Sequence, residues 1–348
     1  MKHTHLHTRL LALLLCCALV LPLSACGEAK STTQQIFAMD TVMDLTAYGK
    51  KADDGINAAI SIINSMDKLL DPENERSKTY EINHAMGLPV VVNEQIAKML
   101  RTAQTVYERT NGAFDLTTYP LSKLWGFIDQ NYRVPSDAEI ERLLPCVDMS
   151  KVKLAATDDS ANSLVTMPAD MALSFGAVAK GCASDYAIQA MRAAGVTSGV
   201  VSLGGNVQTL GKKPDGSDWN IAIQDPNDTG SYLGYLTVGE TAVITSGSYQ
   251  RYFTEGGQKY HHILSPSTGR PVNNGLLSVT IVCEDGTLAD CLSTAMFVLG
   301  PQAALNYWRT YGGFEMLLVR TDGHVVITNG LYGQFTPNGD SYVVDYAS

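Results

Sequence analysis

A carboxylate and a hydroxyl lie four residues apart in the segment Leu288-Ala289-Asp290-Cys291-Leu292-Ser293-Thr294. On an α-helix, residues i and i+4 share a face, so Asp290 and Thr294 would present their oxygens together. Mg²⁺ prefers hard oxygen ligands and commonly takes one or two from a protein, with phosphate and water completing its shell. A structural interpretation competes, because Thr287 and Asp290 also have the spacing of a capping box. The sequence leaves both open.

Two adjacent histidines, His261 and His262, are candidates for a general base. They lie in a predicted strand, 260–264, that runs into a turn rich in serine, glycine and proline. Adjacent strand residues face opposite ways, so only one of the two can enter a given pocket. A neutral histidine can take a proton from a hydroxyl near physiological pH. A histidine in a strand is also often structural, and that alternative stays open.

Two glycine-containing segments are candidates for ligand binding, 174–181 through an anion site and 201–206 through close approach of its backbone to a ligand. In 174–181, a predicted strand turns into a helix through small residues, a geometry that offers free N–H groups to a phosphate, and Lys180 adds a positive charge. In 201–206, a strand ends in paired glycines without the dinucleotide-binding fingerprint G-x-G-x-x-G. A tight turn and a surface lysine are the structural alternatives. The sequence also lacks a Walker A motif and a G-x-S-x-G nucleophile elbow.

The elements that must position these residues form an irregular mixture of helices and strands. Apolar periodicity predicts helices over 56–70, 94–111, 137–144, 178–194, 288–299 and 302–311. The second half is rich in strands, which we expect at 198–203, 219–224, 234–238, 241–246, 260–264, 277–283, 316–319 and 325–327, with earlier strands at 38–48 and 170–175. Because helices and strands do not alternate regularly, the expected fold class is α+β.

Composition and charge exclude several classes of protein. The chain has 348 residues, is 45% hydrophobic and carries a formal net charge of -10, so it has the apolar mass for a packed core. Phosphate contacts with nucleic acid need clustered Lys and Arg, and this acidic balance argues against a nucleic-acid partner.

The first 35 residues resemble an export segment. Lys2 and Arg9 precede an apolar stretch too short to span a bilayer comfortably, and small residues then precede Cys26. This pattern resembles a bacterial lipobox, so we expect a signal peptide over 1–25, a lipidated Cys26 and a polar tether over 26–35. The catalytic domain would then occupy 36–346, held by its lipid on the extracytoplasmic face of the cytoplasmic membrane.

Four cysteines remain in the expected mature domain beyond Cys26: Cys146, Cys182, Cys283 and Cys291. They form no Cys-x-x-Cys pair and have no nearby histidine, which argues against a zinc site. We expect buried thiols without a functional role, although two disulfides are possible by number.

Taken in order, the motifs resemble those of the ApbE family, the FAD:protein FMN transferases. The likeness runs from about residue 36 to 346. Its motifs are Met39-Asp40-Thr41, Gly-Ala-Phe-Asp at 112–115, Leu-Trp-Gly-Phe at 124–127, Gly176-Ala177 with Ala179-Lys180-Gly181 and Asp185, Leu-Gly-Gly-Asn at 203–206, Thr245-Ser246-Gly247 with Tyr249 and Arg251, His262 to Pro266 with Gly269 and Pro271, and Ala289-Asp290 with Thr294.

The resemblance implies that FMN passes from FAD to a Thr or Ser hydroxyl of an exported acceptor protein, which releases AMP and leaves a phosphoester. It also implies a role for each site residue. His262 would be the base. Mg²⁺ would be held by the Ala177 carbonyl, Asp290 and Thr294. FAD would contact Met39, Ala113, Phe114, Asp115, Lys180 and Asp185.

The sequence departs from the family pattern in two places, and two alternative functions stay open. Asp40 stands where the family usually has glycine, which adds a carboxylate near an anionic ligand, and the stretch at 76–83 follows the family only loosely. Two other functions stay open: a hydrolase that splits FAD to FMN and AMP, and a lipoprotein that binds FAD without chemistry.

Overall fold

A nine-stranded sheet, antiparallel except for its last pair, organises the fold in the computed structural model, which describes residues 30–347. The strands within these residues are β1 Ser31–Ala38, β2 Thr41–Tyr48, β3 Val90–Asn93, β4 Lys153–Ala156, β5 Asn162–Thr166, β6 Gly199–Leu203, β7 Asn206–Leu210, β8 Trp219–Gln224, β9 Tyr232–Val238, β10 Ala242–Gly247, β11 Tyr252–Glu255, β12 Gln258–His261, β13 Leu276–Cys283, β14 Glu315–Arg320, β15 His324–Thr328, β16 Phe335–Pro337 and β17 Val343–Ala347. The main sheet has the order β1-β2-β6-β7-β10-β13-β14-β15-β17.

Helices interrupt the strands at irregular intervals, as the fold class predicts. Those in the described range are α1 Ala52–Leu70, α2 Lys78–Asn83, α3 Glu94–Arg109, α4 Tyr119–Leu124, α5 Asp137–Leu143, α6 Ala179–Ala193, α7 Gly286–Leu299 and α8 Pro301–Tyr311. Short 3₁₀ turns lie at Leu116–Thr118, Leu144–Cys146, Met149–Lys151 and Asn329–Leu331. The α+β expectation is confirmed.

The central strands of the main sheet are buried on both faces, and their side chains alternate between two cores. On β14, Met316 and Leu318 belong to the large core shared with the helices, whereas Leu317 and Val319 belong to a second core. This second core lies against the small sheet β16-β9-β8. The molecule therefore has three layers, with α1, α6 and α7 on one face of the main sheet and the small sheet on the other.

Two sequence-based boundaries are wrong. The tether predicted over 26–35 ends earlier, because residues 31–35 already belong to β1, where every residue pairs with β2. The strand predicted over 170–175 is an irregular segment. The Asn83 side chain forms hydrogen bonds with both the N–H and the carbonyl of Leu173, at 2.8 and 2.9 Å, and the Leu116 carbonyl accepts from the Ser174 N–H. These backbone groups are therefore satisfied without a neighbouring strand.

Several expectations concern residues 1–29 and lie outside the described residues: the signal peptide, the lipidation of Cys26 and the beginning of the tether. Within residues 30–347, no helix has both the length and the apolarity needed to cross a membrane. All four cysteines in this range are unpaired thiols, and only Cys146 is not fully buried. The expectation of buried thiols rather than disulfides is thus confirmed for three of them.

Candidate active site

One cleft of about 970 Å³ gathers nearly all of the predicted site residues, a volume at the upper end of the range for small-molecule sites. Its walls come from the β1–β2 turn, the C-terminal end of α1, the segment 113–128, the loop before α6, the β6–β7 turn, the end of β10, the segment 262–266 and α7. The predicted residues that line it are Met39, Ala113, Phe114, Asp115, Ala177, Lys180, His262, Asp290 and Thr294. Asp185 does not line it.

Asp290 lies in the second turn of α7 and does not cap that helix. The cap is Asp285, whose carboxylate accepts from the Leu288 N–H at 2.9 Å. Asp290 is 3% exposed, and its two oxygens accept one bond each, from the Gly181 N–H at 2.8 Å and from Asn206 Nδ2 at 2.9 Å. Among residues 30–347 it has no ion-pair partner, so it is a buried carboxylate held by neutral donors only. Such a group favours a bound cation.

Glycine at 181 allows α6 and α7 to approach closely enough for this bond. A Cβ on Gly181 would lie 2.1 Å from the Gly286 carbonyl oxygen and 2.6 Å from Asp290 Cβ. A Cβ on Gly286 would lie 2.8 Å from the Gly181 carbonyl oxygen. The Ala-Lys-Gly motif therefore has a packing function as well as supplying the charge of Lys180.

Thr294 lies one turn after Asp290 on the same face of α7, as the spacing predicts. Its hydroxyl lies 3.2 Å from Ser246 Oγ near the end of β10, and Ser246 Oγ lies 2.8 Å from Ser293 Oγ. Ala177 lines the same cleft from the loop before α6. These donors fit Mg²⁺: one carboxylate, one hydroxyl and one carbonyl leave room for phosphate oxygens and water. The described residues contain no group of three or more His, Cys, Asp or Glu side chains that could hold a metal.

The two histidines face opposite ways, as their adjacency predicts. His261 is buried, and its Nε2 lies 2.7 Å from the Val272 carbonyl, so this histidine is structural. His262 lines the cleft, and its Nδ1 lies 3.2 Å from the Arg251 carbonyl. A carbonyl can only accept, so Nδ1 of His262 carries the hydrogen and Nε2 keeps its lone pair.

Positive charge in the cleft favours the neutral form of His262. Burial first, and then the nearby charge of Arg251, lower the pKa of His262 to about 3, with smaller contributions from His261 and Lys180. Within residues 30–347, neither Lys180 nor Arg251 forms an ion pair with a carboxylate, so both charges are available to an anionic ligand.

The β1–β2 turn places Met39 and Asp40 at the wall of the cleft. Both have positive φ, 48° and 57°, as a two-residue turn of the mirror-image type requires. This conformation favours glycine at position 40, and aspartate is among the residues that tolerate it best. The Met39 N–H donates to Asp67 Oδ1 at 2.7 Å, which anchors the turn to α1.

Asp115 lines the cleft, but its carboxylate is occupied. It accepts from the Thr117 N–H at 2.7 Å, from Thr117 Oγ1 at 2.6 Å and from the Met149 N–H at 3.0 Å. Phe114 is almost fully buried, and Ala113 is half-buried. This segment therefore offers a ligand mainly backbone and the edges of side chains.

Asp185 corrects one expectation, because its position does not support the direct contact with FAD that the resemblance implies. It is 5% exposed and accepts from the Gly286 and Thr287 N–H groups at 2.8 and 3.0 Å. Lys98 Nζ lies 2.8 Å from Asp185 Oδ2, the carboxylate oxygen that does not bond Gly286. Its neighbours are protein groups at the beginning of α7.

Three contributors to the site have roles that the sequence does not predict. Asn206, in the Leu-Gly-Gly-Asn motif, bonds Asp290, a side-chain role that neither the paired glycines nor the family resemblance indicates. Lys98 gives no signal in the sequence, because its partner lies 87 residues away. Glu73 lines the cleft and accepts from the Tyr119 hydroxyl, which also has no local signature.

Comparison with known proteins now decides the family. The family model described as "ApbE family" matches residues 39–318 of the chain. The chain belongs to the ApbE family. Among curated proteins, the FAD:protein FMN transferase of Klebsiella pneumoniae is 31% identical over 285 residues, which cover 81% of this chain and 87% of that protein. The one of Treponema pallidum is 29% identical over 326 residues, 88% of this chain and 90% of that protein.

Solved structures agree with this membership. The ApbE protein of Thermotoga maritima superposes with a TM-score of 0.81 at 31% identity, covering 88% of this chain and 99% of that chain. The apo form of the flavinyl transferase ApbE of Pseudomonas stutzeri gives a TM-score of 0.75 at 26% identity, covering 90% and 99%. The resemblance drawn from the motifs and the ApbE-like mixed fold are both confirmed.

Proposed function

We propose that this chain, an ApbE-family flavin transferase, transfers FMN from FAD to a Thr or Ser hydroxyl of an exported acceptor protein with the help of Mg²⁺. One observation carries the proposal: a single cleft joins a buried carboxylate and two positive side chains, none of which has an ion-pair partner within residues 30–347, with a histidine whose Nε2 keeps its lone pair for a proton.

The FAD pyrophosphate would lie beside Lys180 and Arg251, because these positive side chains line the cleft and form no ion pair within residues 30–347, and close to the metal residue Asp290. Asp290, Thr294 and the Ala177 carbonyl would hold Mg²⁺. When bound, Mg²⁺ would stabilise the charge that develops on the pyrophosphate oxygens.

His262 Nε2 would accept the proton of the acceptor hydroxyl as its oxygen attacks the FMN phosphorus. The phosphorus–oxygen bond to AMP breaks, and AMP leaves with the bonding electron pair. Nδ1 of His262 stays bonded to the Arg251 carbonyl, which holds the ring in the required tautomer. Lys180 would stabilise the negative charge on the departing phosphate.

The test combines purified protein, FAD, Mg²⁺ and an exported acceptor domain carrying Asp/Ser-Gly-Ala-Thr/Ser, the target type that the family resemblance implies. Flavin fluorescence in a denaturing gel and a mass gain matching FMN support transfer. Release of AMP without labelling would instead indicate FAD hydrolysis, and neither product would leave an FAD-binding protein. His262→Ala should keep FAD binding and lose transfer, whereas equal loss of both would contradict its role as base.

We also propose that the domain is tethered outside the cytoplasmic membrane through lipid on Cys26. The support is the lipobox-like sequence before Cys26 and the beginning of β1 at Ser31, which leaves only a short link. Cys26→Ala should abolish incorporation of labelled fatty acid and move the protein from the membrane to the soluble fraction. Unchanged labelling would contradict the anchor.

A further inference from the structure

α6 and α7 hold each other through two carboxylates that point in opposite directions. Asp290 of α7 accepts from the Gly181 N–H at the beginning of α6. Asp185 of α6 accepts from the N–H groups of Gly286 and Thr287 at the beginning of α7. Each helix thus supplies the carboxylate that bonds the first turn of the other, and we call this pair of interactions the reciprocal clamp.

The Asp185 side of the clamp is saturated with donors. Besides the two N–H groups, it accepts from Thr287 Oγ1 at 2.6 Å, from Gln208 Nε2 at 3.1 Å and from Lys98 Nζ at 2.8 Å. Lys98 comes from α3 and also lies 3.3 Å from the α7 cap, Asp285. Burial opposes ionisation of Asp185, but Lys98 and the hydrogen bonds outweigh it and hold the pKa of this carboxyl below its usual value.

The clamp is connected directly to the proposed metal residues. Gly286 and Thr287 precede Asp290 by one helical turn, so bonds that fix the beginning of α7 also fix the direction of the Asp290 and Thr294 side chains. No side chain of Asp185 or Lys98 lines the cleft. The bonds at the beginning of α7 therefore give these two residues an indirect connection to the metal residues.

We propose that Lys98 and Asp185 are positioning residues for the metal site, which set the affinity for the cation by fixing α7, and that they do not bind FAD themselves. This inference rests on the proposed function, because it takes Asp290 and Thr294 as metal ligands. Supporting groups of this kind commonly change metal affinity by about 10- to 100-fold.

The experiment measures binding of Mn²⁺, used as a paramagnetic substitute for Mg²⁺, to the full protein with FAD present, by electron paramagnetic resonance. FAD binding in EDTA is measured separately by fluorescence. Lys98→Met should weaken Mn²⁺ binding about tenfold or more and leave FAD affinity in EDTA within twofold. Lys98→Arg, which keeps the charge, should restore most of the affinity.

Two further variants distinguish a specific effect on the metal site from a general loss of structure. Arg101→Met removes an exposed ion pair with Glu94 from the same helix and should change neither measurement. Thr287→Val removes one donor to Asp185 and should weaken Mn²⁺ binding severalfold even if Lys98→Met fails to fold.

The outcomes separate this inference from the proposed function. If Asp290→Asn leaves Mn²⁺ binding intact, the proposed metal site itself is wrong. If Asp290→Asn abolishes binding but Lys98→Met and Thr287→Val bind Mn²⁺ like the unmodified protein, only the positioning role is overturned. If Lys98→Met and Thr287→Val weaken FAD binding in EDTA as much as Mn²⁺ binding, the effect is not specific to the metal site, and the inference is likewise overturned.

Discussion

The protonation of His262 gives the sharpest test of the proposed chemistry. An ordinary histidine base, with a pKa of about 6.5, would lose about 25-fold of its neutral form between pH 7 and pH 5. With the pKa of His262 at about 3, the neutral fraction changes by only about 1% over the same range. The value of kcat/KM for FAD should therefore stay nearly level from pH 7 to pH 5.

The assay is the initial rate of FMN transfer at limiting FAD and saturating acceptor, measured across pH 5 to 8 with the mass of the acceptor as readout. His262→Gln is the matched variant and should lower the rate by roughly 10²- to 10⁴-fold at every pH. Resonances of the histidine rings provide a direct measurement, in which His262 should stay neutral at pH 5 and gain basicity when anionic FAD binds.

Two results would refute this reasoning. One is a tenfold or larger fall in kcat/KM between pH 7 and 5 that is absent from His262→Gln, which would mean that the cleft does not keep His262 neutral. The other is a level profile that His262→Gln shares at nearly the same rate, because then no base acts at this position.

Three further predictions follow from the same contacts. Asp290→Asn should abolish turnover at any Mg²⁺ concentration, since an amide keeps the shape but not the charge, and titration of the rate with Mg²⁺ checks this. Gly181→Ala should lower the thermal midpoint and the transfer rate together, because its Cβ would lie 2.1 Å from the Gly286 carbonyl oxygen and overpacking costs about 1–3 kcal/mol; calorimetry that shows no change would contradict it. Asp40→Gly should tighten FAD binding severalfold in a fluorescence titration by removing an exposed carboxylate from the cleft, whereas weaker binding would contradict this charge argument.

Local sequence rules predict the elements whose stability is local. The strand 219–224 is predicted residue for residue, and the helix predicted over 94–111 is α3, which begins at the predicted residue. The segment 170–175 is apolar enough for a strand, but the Asn83 side chain bonds its backbone from 90 residues away. Bonds between distant residues of this kind leave no pattern in a window of sequence.

The site residues also fall into those that local sequence predicts and those that depend on distant contacts. The spacing of Asp290 and Thr294 and the adjacency of the two histidines follow from helix and strand geometry, so the sequence predicts which side chains share a face. Asp185 is different, since its motif is only five residues from Lys180 but its side chain turns away from the cleft toward α7. A motif indicates that a residue matters, but only the groups that its side chain contacts show whether it binds a ligand or positions other residues of the site.

The net charge of this protein repels an anionic ligand, whereas the local charge in the cleft attracts one. Without residues 1–25, which hold Lys2 and Arg9 but no acid, the net charge is -12, which repels a dinucleotide at long range. Lys180 and Arg251 line the cleft and act at short range, where their attraction for a bound anion is strongest. Burial is the larger cause, and the same two charges add to it in keeping His262 neutral while the cleft is free of anions. An anionic substrate that offsets them would raise the basicity of His262, so binding of FAD would itself prepare the base that takes the proton from the attacking acceptor hydroxyl.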